Sequence, residues 1–191
     1  MAQHSALRKV IVTGALGAIS VVLFLTNLGI IPWIVGVSLT VMHVPVIIGA
    51  VLEGPLVGTS VGLIFGLSTL IKAATAPNGP GDVFFVNPLI SVLPRLLIGL
   101  FAWLAYKAFR GKIEPIAAAT AGIIGSLANS ILVLGALVLF GAIPFATAAG
   151  VFAANSIIEA AAAAVLTLGV VVVWKGIENG KGKAKLADED K

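Results

Sequence analysis

Val10–Leu52, VIVTGALGAISVVLFLTNLGIIPWIVGVSLTVMHVPVIIGAVL, runs for 43 residues without a formal charge. One helix crosses a bilayer with about 20 residues, so this run predicts two crossings joined by a turn, for which Gly29 and Pro32 are the signals. Pro115–Ile158 repeats the pattern over 44 uncharged residues, with Gly141 and Pro144 at its turn. Between the two runs, Gly54-Pro55 opens a helix and Leu89 to Phe109 makes another. The expected fold is all-α, a bundle of six transmembrane helices over approximately 8–28, 38–52, 55–74, 89–109, 115–140 and 146–174. Residues 1–175 then form a single membrane domain. The tail 176–191 is small and charged, lacks apolar periodicity, and is expected to be unstructured on the cytoplasmic side.

Composition agrees. Of 191 residues 59% are hydrophobic and 10% charged, with a mean hydropathy of +1.13, a balance that excludes an ordinary soluble domain. The net charge of +4 lies in short flanks between apolar runs, which speaks against a nucleic-acid surface. An even number of crossings puts both termini on one side. Arg8, Lys9, Lys107, Arg110, Lys112, Lys175, Lys181, Lys183, Lys185 and Lys191 all fall there, against Lys72 on the other, so the positive-inside rule predicts cytoplasmic termini. Arg8-Lys9 before an apolar run mimics a signal peptide, but the run is too long and is read as a retained span. Trp103, Tyr106 and Trp174 near the inner boundary and Trp33 near the outer one suit aromatic anchors. Cysteine is absent, which removes disulfide and thiolate chemistry. His4 and His43 fall at opposite ends and make no metal site. No P-loop, H-E-x-x-H or G-x-S-x-G motif is present, so no enzyme, metal or cofactor is expected.

The chemistry gathers around Asn87–Gly99, NPLISVLPRLLIG. Arg95 stays charged, and a charge at membrane depth marks a functional site unless it snorkels to the headgroups or pairs with a neighbouring helix. On a helix, Asn87, Ser91 and Arg95 at i, i+4 and i+8 share a face. The fifth helix aligns Gly122, Ser126, Asn129 and Ser130, and the sixth places Asn155 and Glu159 at i and i+4. Three helices thus bring polar groups to similar depth, as a small-molecule pocket requires; a structural Arg95–Glu159 ion pair is the competing reading. Lys72, His43 and Trp33 complete the candidate binding residues. The turn-rich segment from Thr75 to Val86 reads either as a lid or as a plain connection. Small residues form two stripes, Gly14 and Ala18 on the first helix and Gly58, Gly62 and Gly66 on the third, each permitting close helix approach.

The run from Thr40 to Ser68, TVMHVPVIIGAVLEGPLVGTSVGLIFGLS, followed by NPLISVLPRLLIGL, resembles the substrate-binding S components of energy-coupling factor (ECF) vitamin transporters, most closely the pantothenate type. Gly14-x-x-x-Ala18 occupies the place of that family's A-x-x-x-A partner-docking motif, with Gly for the first Ala. The resemblance implies a multi-pass protein of the prokaryotic cell membrane with six helices and cytoplasmic termini. It further implies a vitamin bound near the extracellular side, a transmembrane scaffold subunit docked at Gly14 and Ala18, and two separate ATPase subunits. Pantothenate is the favoured substrate, with cobalamin or riboflavin as alternatives within the class. Outside the class, a self-contained secondary transporter or channel remains open, with Arg95 and Glu159 on an ion path.

Overall fold

The computed structural model describes residues 2–34, 37–77, 80–111 and 113–189, with side chains over 6–29, 40–77, 81–111 and 113–177. Seven helices carry it: α1 (Ala2–Leu25), α2 (Val44–Glu53), α3 (Pro55–Thr75), α4 (Pro88–Ser91), α5 (Leu93–Phe109), α6 (Glu114–Leu139) and α7 (Phe145–Glu189). A 3-10 segment spans Pro80–Val86, and two short strands, β1 (Ile30–Ile34) and β2 (Val37–Thr40), precede α2.

The hub is the shortest of the long apolar segments. Every residue of α2 from Val44 to Val51 is buried, and α2 packs against α1, α3, α5, α6 and α7. A helix apolar all round is one that neighbours surround. Ile47 and Val46 meet a core of Val57, Val61 and Phe65 from α3, Ile98 from α5, and Ala117, Ala118 and Ala121 from α6. Gly54 ends α2 at φ +96°, a backbone setting that glycine adopts without strain. Pro55 then starts α3 in the first turn, where its missing N–H costs nothing.

The second predicted helix, 38–52, is corrected. Ile30–Ile34 and Val37–Thr40 pair as antiparallel strands with Ile30 opposite Thr40 and Ile31 opposite Leu39. Pro45 sits in the first turn of α2, so the helix begins at Val44, and the β-branched run before it pairs as strands instead. The turn out of α1 comes at Asn27, φ +56°, ahead of the expected Gly29 and Pro32. Val35 and Gly36 lie outside the described residues. The fourth predicted helix is one apolar span, Pro88–Phe109, whose hydrogen-bond ladder lapses at Val92 between α4 and α5 because Pro94 removes a donor. At the other end, Gly141 turns at φ +71° before α7, which stays helical to Glu189 where tail composition suggested no regular structure.

Among the described residues five helices are long and apolar enough to cross a membrane, and α2 is a shorter apolar helix of 10 residues. At 1.5 Å per residue α2 reaches only about half of a ~30 Å hydrocarbon core. The two strands that lead into its N-terminal end pair with each other, and Glu159 takes the Thr40 N–H, since non-helical chain inside a membrane protein must satisfy its backbone within the protein. The second turn of α1 and the end of the apolar part of α7 meet at one end of the bundle, where Arg8 lies over the Trp174 ring.

Candidate functional site

A cavity of about 290 Å³ opens at the N-terminal end of α2. Its wall takes Phe24 from the end of α1, Thr40 and Met42 from the approach to α2, and Thr69, Lys72 and Ala73 from α3. Asp82 and Phe85 of the 3-10 segment, Arg95 of α5, and Asn129 and Val133 of α6 close it. Apolar lining with a few convergent polar groups is the make-up of a small-molecule site. Lys72 and Arg95 against Asp82 leave that wall with one net positive charge.

Proline places Arg95. Because Pro94 has no N–H, the carbonyl of Ile90 lacks its helical donor, and Arg95 Nη1 donates to it at 2.9 Å. The guanidinium is buried between the Phe65 and Phe85 rings, 5.4 and 5.3 Å from their centroids, a distance at which cation–π attraction helps hold a desolvated charge. Its Nε has no hydrogen-bond partner among the described residues. The side chain is thus aimed by one carbonyl and two rings while one donor stays unspent.

Glu159 does not pair with Arg95. Its Oε1 accepts from the Thr40 backbone N–H at 2.7 Å and from Thr40 Oγ1 at 3.0 Å, and Oε2 lies 3.5 Å from the Ser130 hydroxyl. The carboxylate therefore ties the end of β2 to α6 and α7 just behind the wall, taking up a backbone donor that the hairpin leaves open. Hydrogen bonds from neutral donors reach it where the guanidinium, turned toward Ile90, does not.

The remaining candidates divide. Lys72 and Asn129 are in the wall; the Lys72 ammonium donates to Asn27 Oδ1 at 3.1 Å and lies over Phe24, and Asn129 Oδ1 is buried without a partner. Asn87 and Ser91 are turned to local structure. Asn87 caps α4 by accepting from the Leu89 N–H, and Ser91 donates back to the Asn87 carbonyl. Of the expected stripe through Asn87, Ser91 and Arg95, only Arg95 enters the cavity wall, because the other two spend their polar atoms on the backbone of their own turn. Ser126, Asn155 and His43 are buried but outside the wall. Trp33 belongs to β1, and its side chain, like His4 and the basic residues Lys112, Lys181, Lys183, Lys185 and Lys191, lies outside the described side chains. Gly14 and Ala18 are exposed on α1, and a Cβ built on Gly14 meets nothing within 4 Å.

Sequence reasoning missed Phe24, Thr40, Met42 and Thr69. Thr69 was findable, since Thr69, Lys72 and Ala73 share a face of α3 by helical spacing. Thr40 and Met42 were not, because hydropathy reads a buried hairpin as more helix.

A family model described as "ECF transporter, substrate-specific component" matches residues 8–171. The pantothenate transporter PanT of Leuconostoc mesenteroides is 33% identical over 120 residues, 58% of this chain and 59% of that protein, so the match spans less than two thirds of that relative's length. The pantothenic acid transporter PanT of Lactococcus lactis subsp. cremoris is 28% identical over 174 residues, 79% of this chain and 85% of that protein. With most of its helical length inside the family match and its cavity built from that matched region, the chain belongs to the ECF transporter substrate-specific component family.

Proposed function

We propose that this chain is the membrane-embedded, high-affinity vitamin-binding subunit of an ECF-type importer, that its substrate is pantothenate, and that the cavity at the head of α2 holds it. The observation that carries the reading is Arg95, buried in the cavity wall between Phe65 and Phe85 with Nε unspent. A guanidinium fixed in that way recognises a carboxylate. Lys72 adds a second cation, and Asn129 and Thr69 supply groups for the hydroxyls and amide of a polar acid. The names of the relatives point to the same substrate.

In this reading the chain binds and its partners work. Gly14 and Ala18 on the outer face of α1 receive a transmembrane scaffold subunit, which two separate ATPase subunits drive. The termini are cytoplasmic, the six crossings being made by α1, by the hairpin with α2, by α3, by α4 with α5, by α6 and by α7. Cysteines replacing Gly81 and Gly111, on connections at opposite ends of the bundle, then react with an impermeant reagent from opposite faces of the membrane. Equal reaction from outside would overturn that topology.

Calorimetry of the purified chain tests the substrate. Pantothenate is expected to bind stoichiometrically without partners, and Arg95→Ala to weaken it roughly 10- to 100-fold, the loss of a hydrogen bond to a charged group. The alcohol analogue of the acid should lose a similar factor on the native protein and little more on the variant. Additive losses would show that carboxylate and guanidinium do not meet.

A further inference from the structure

A second and larger cavity, about 570 Å³, lies at the other end of α2. Val51, Leu52, Glu53 and Gly54 form one side, Trp103, Tyr106, Lys107 and Arg110 of α5 another, and Lys175 of α7 the third. About ten residues of helix, roughly 15 Å, separate it from the first cavity, so the two do not share a ligand.

Its charges are unevenly matched. Glu53 accepts from Arg8 Nε at 2.5 Å, and Glu114 at the start of α6 accepts from both Lys175 and the Tyr106 hydroxyl. Each acid is occupied by one of the cations at this end. Lys107 and Arg110 form no close ion pair with a carboxylate among the described residues, although Arg110 lies within electrostatic reach of Glu114; Lys107 lies over the Trp103 ring at 4.9 Å. Both line the cavity, Lys107 from the last turn of α5 and Arg110 from its C-cap, and with Lys175 against Glu53 they give the wall two positive charges in excess.

The rest of the wall includes apolar surface, from Val51, Leu52 and the Trp103 indole. Leu100, Phe101 and Leu104 continue the exposed apolar surface of α5 toward the middle of the bundle. A ligand that satisfies both parts is an amphiphile with an anionic head among the cations and hydrocarbon along α5. We propose that this cavity binds the phosphate-bearing headgroup of an anionic membrane lipid on the side of the termini, where basic pockets between helices meet such headgroups. A free phosphate offers the same charge without the tail, and the apolar part of the wall favours the lipid.

The test titrates the detergent-purified full chain with phosphatidylglycerol, with phosphatidylcholine of the same acyl chains, and with inorganic phosphate, reading bound lipid by native mass spectrometry. One phosphatidylglycerol per chain is expected, held at least about thirtyfold more tightly than phosphatidylcholine. Lys107→Gln with Arg110→Gln should reduce that preference by about thirtyfold, taking about 1 kcal/mol for each surface cation as the constant, while Lys107→Arg with Arg110→Lys restores it. Equal retention of the two lipids, or an unchanged preference in the double Gln variant, overturns the proposal. Displacement of the lipid by millimolar inorganic phosphate overturns the choice of a lipid over a free anion. Thermal melting of the native chain needs no variant: phosphatidylglycerol should raise the midpoint and phosphatidylcholine should not, and equal shifts count against the site.

Discussion

Helices α1 and α3 carry the same device, small residues four apart, and use it in opposite directions. On α3 the stripe faces inward. A Cβ on Gly58 would lie 2.5 Å from Ala50 Cβ and 2.9 Å from its Cα, one on Gly66 would lie 2.8 Å from Val92 Cα, and one on Gly62 would strike the Arg95 carbonyl. The obstacles are mostly backbone, so nothing there can step aside. On α1 the stripe faces outward: a Cβ on Gly14 enters open space and Ala18 is exposed, whereas the neighbouring Gly17 faces α3 and is opposed by the end of the Ile64 side chain at 2.7 Å. Small residues announce that a helix comes close, and only the fold says whether that helix belongs to the same chain.

The hardest test of the contrast is Gly62→Leu. Overpacking against a backbone carbonyl exceeds the usual ~1–3 kcal/mol of core overpacking, and the variant is expected to yield no monodisperse protein by size exclusion. Recovery of a native-like melting midpoint would mean that α3 and α5 are not in backbone contact at Gly62.

Leucine at both Gly14 and Ala18 should do the reverse. Stability is expected to stay within about 0.5 kcal/mol, as for exposed positions, and pantothenate affinity within about twofold. Capture of the scaffold subunit and ATP-dependent uptake should fall at least about tenfold. Retained uptake would remove the docking role; loss of folding and binding together would make α1 a packing helix like α3.

Gly17→Ala probes the boundary between the two faces and should do least. Ile64 can turn its terminal methyl away, and the gain of roughly 1 kcal/mol in helix propensity offsets the strain, so the melting midpoint should move by no more than a few degrees. A large drop would show that α1 and α3 tolerate no adjustment.

Much of the architecture is written in the spacing of charge. Two uncharged runs of 43 and 44 residues are a direct statement about lengths of apolar helix, because the bilayer sets the length of what crosses it. Arg95 was legible for a similar reason: a permanent charge in an apolar segment must be provided for, whatever the fold. Asn129 followed from depth along its helix, and Lys72 from its charge at a helix end. Asn87 and Ser91 did not follow, since helical spacing does not show that a polar side chain is spent on the backbone of its own turn.

The sequence by itself therefore determined the apolar helices, their approximate ends and the presence of a polar centre, all of which depend on composition within a window of one bilayer. Tertiary structure alone decided the partners. Glu159 meets Thr40 across 119 residues of chain and Arg95 turns to a carbonyl freed by its own neighbour. Gly62 and Gly14, alike on paper, face a backbone and open space. Helical periodicity assigns a residue to a face, and what stands opposite that face depends on how the other helices pack around α2.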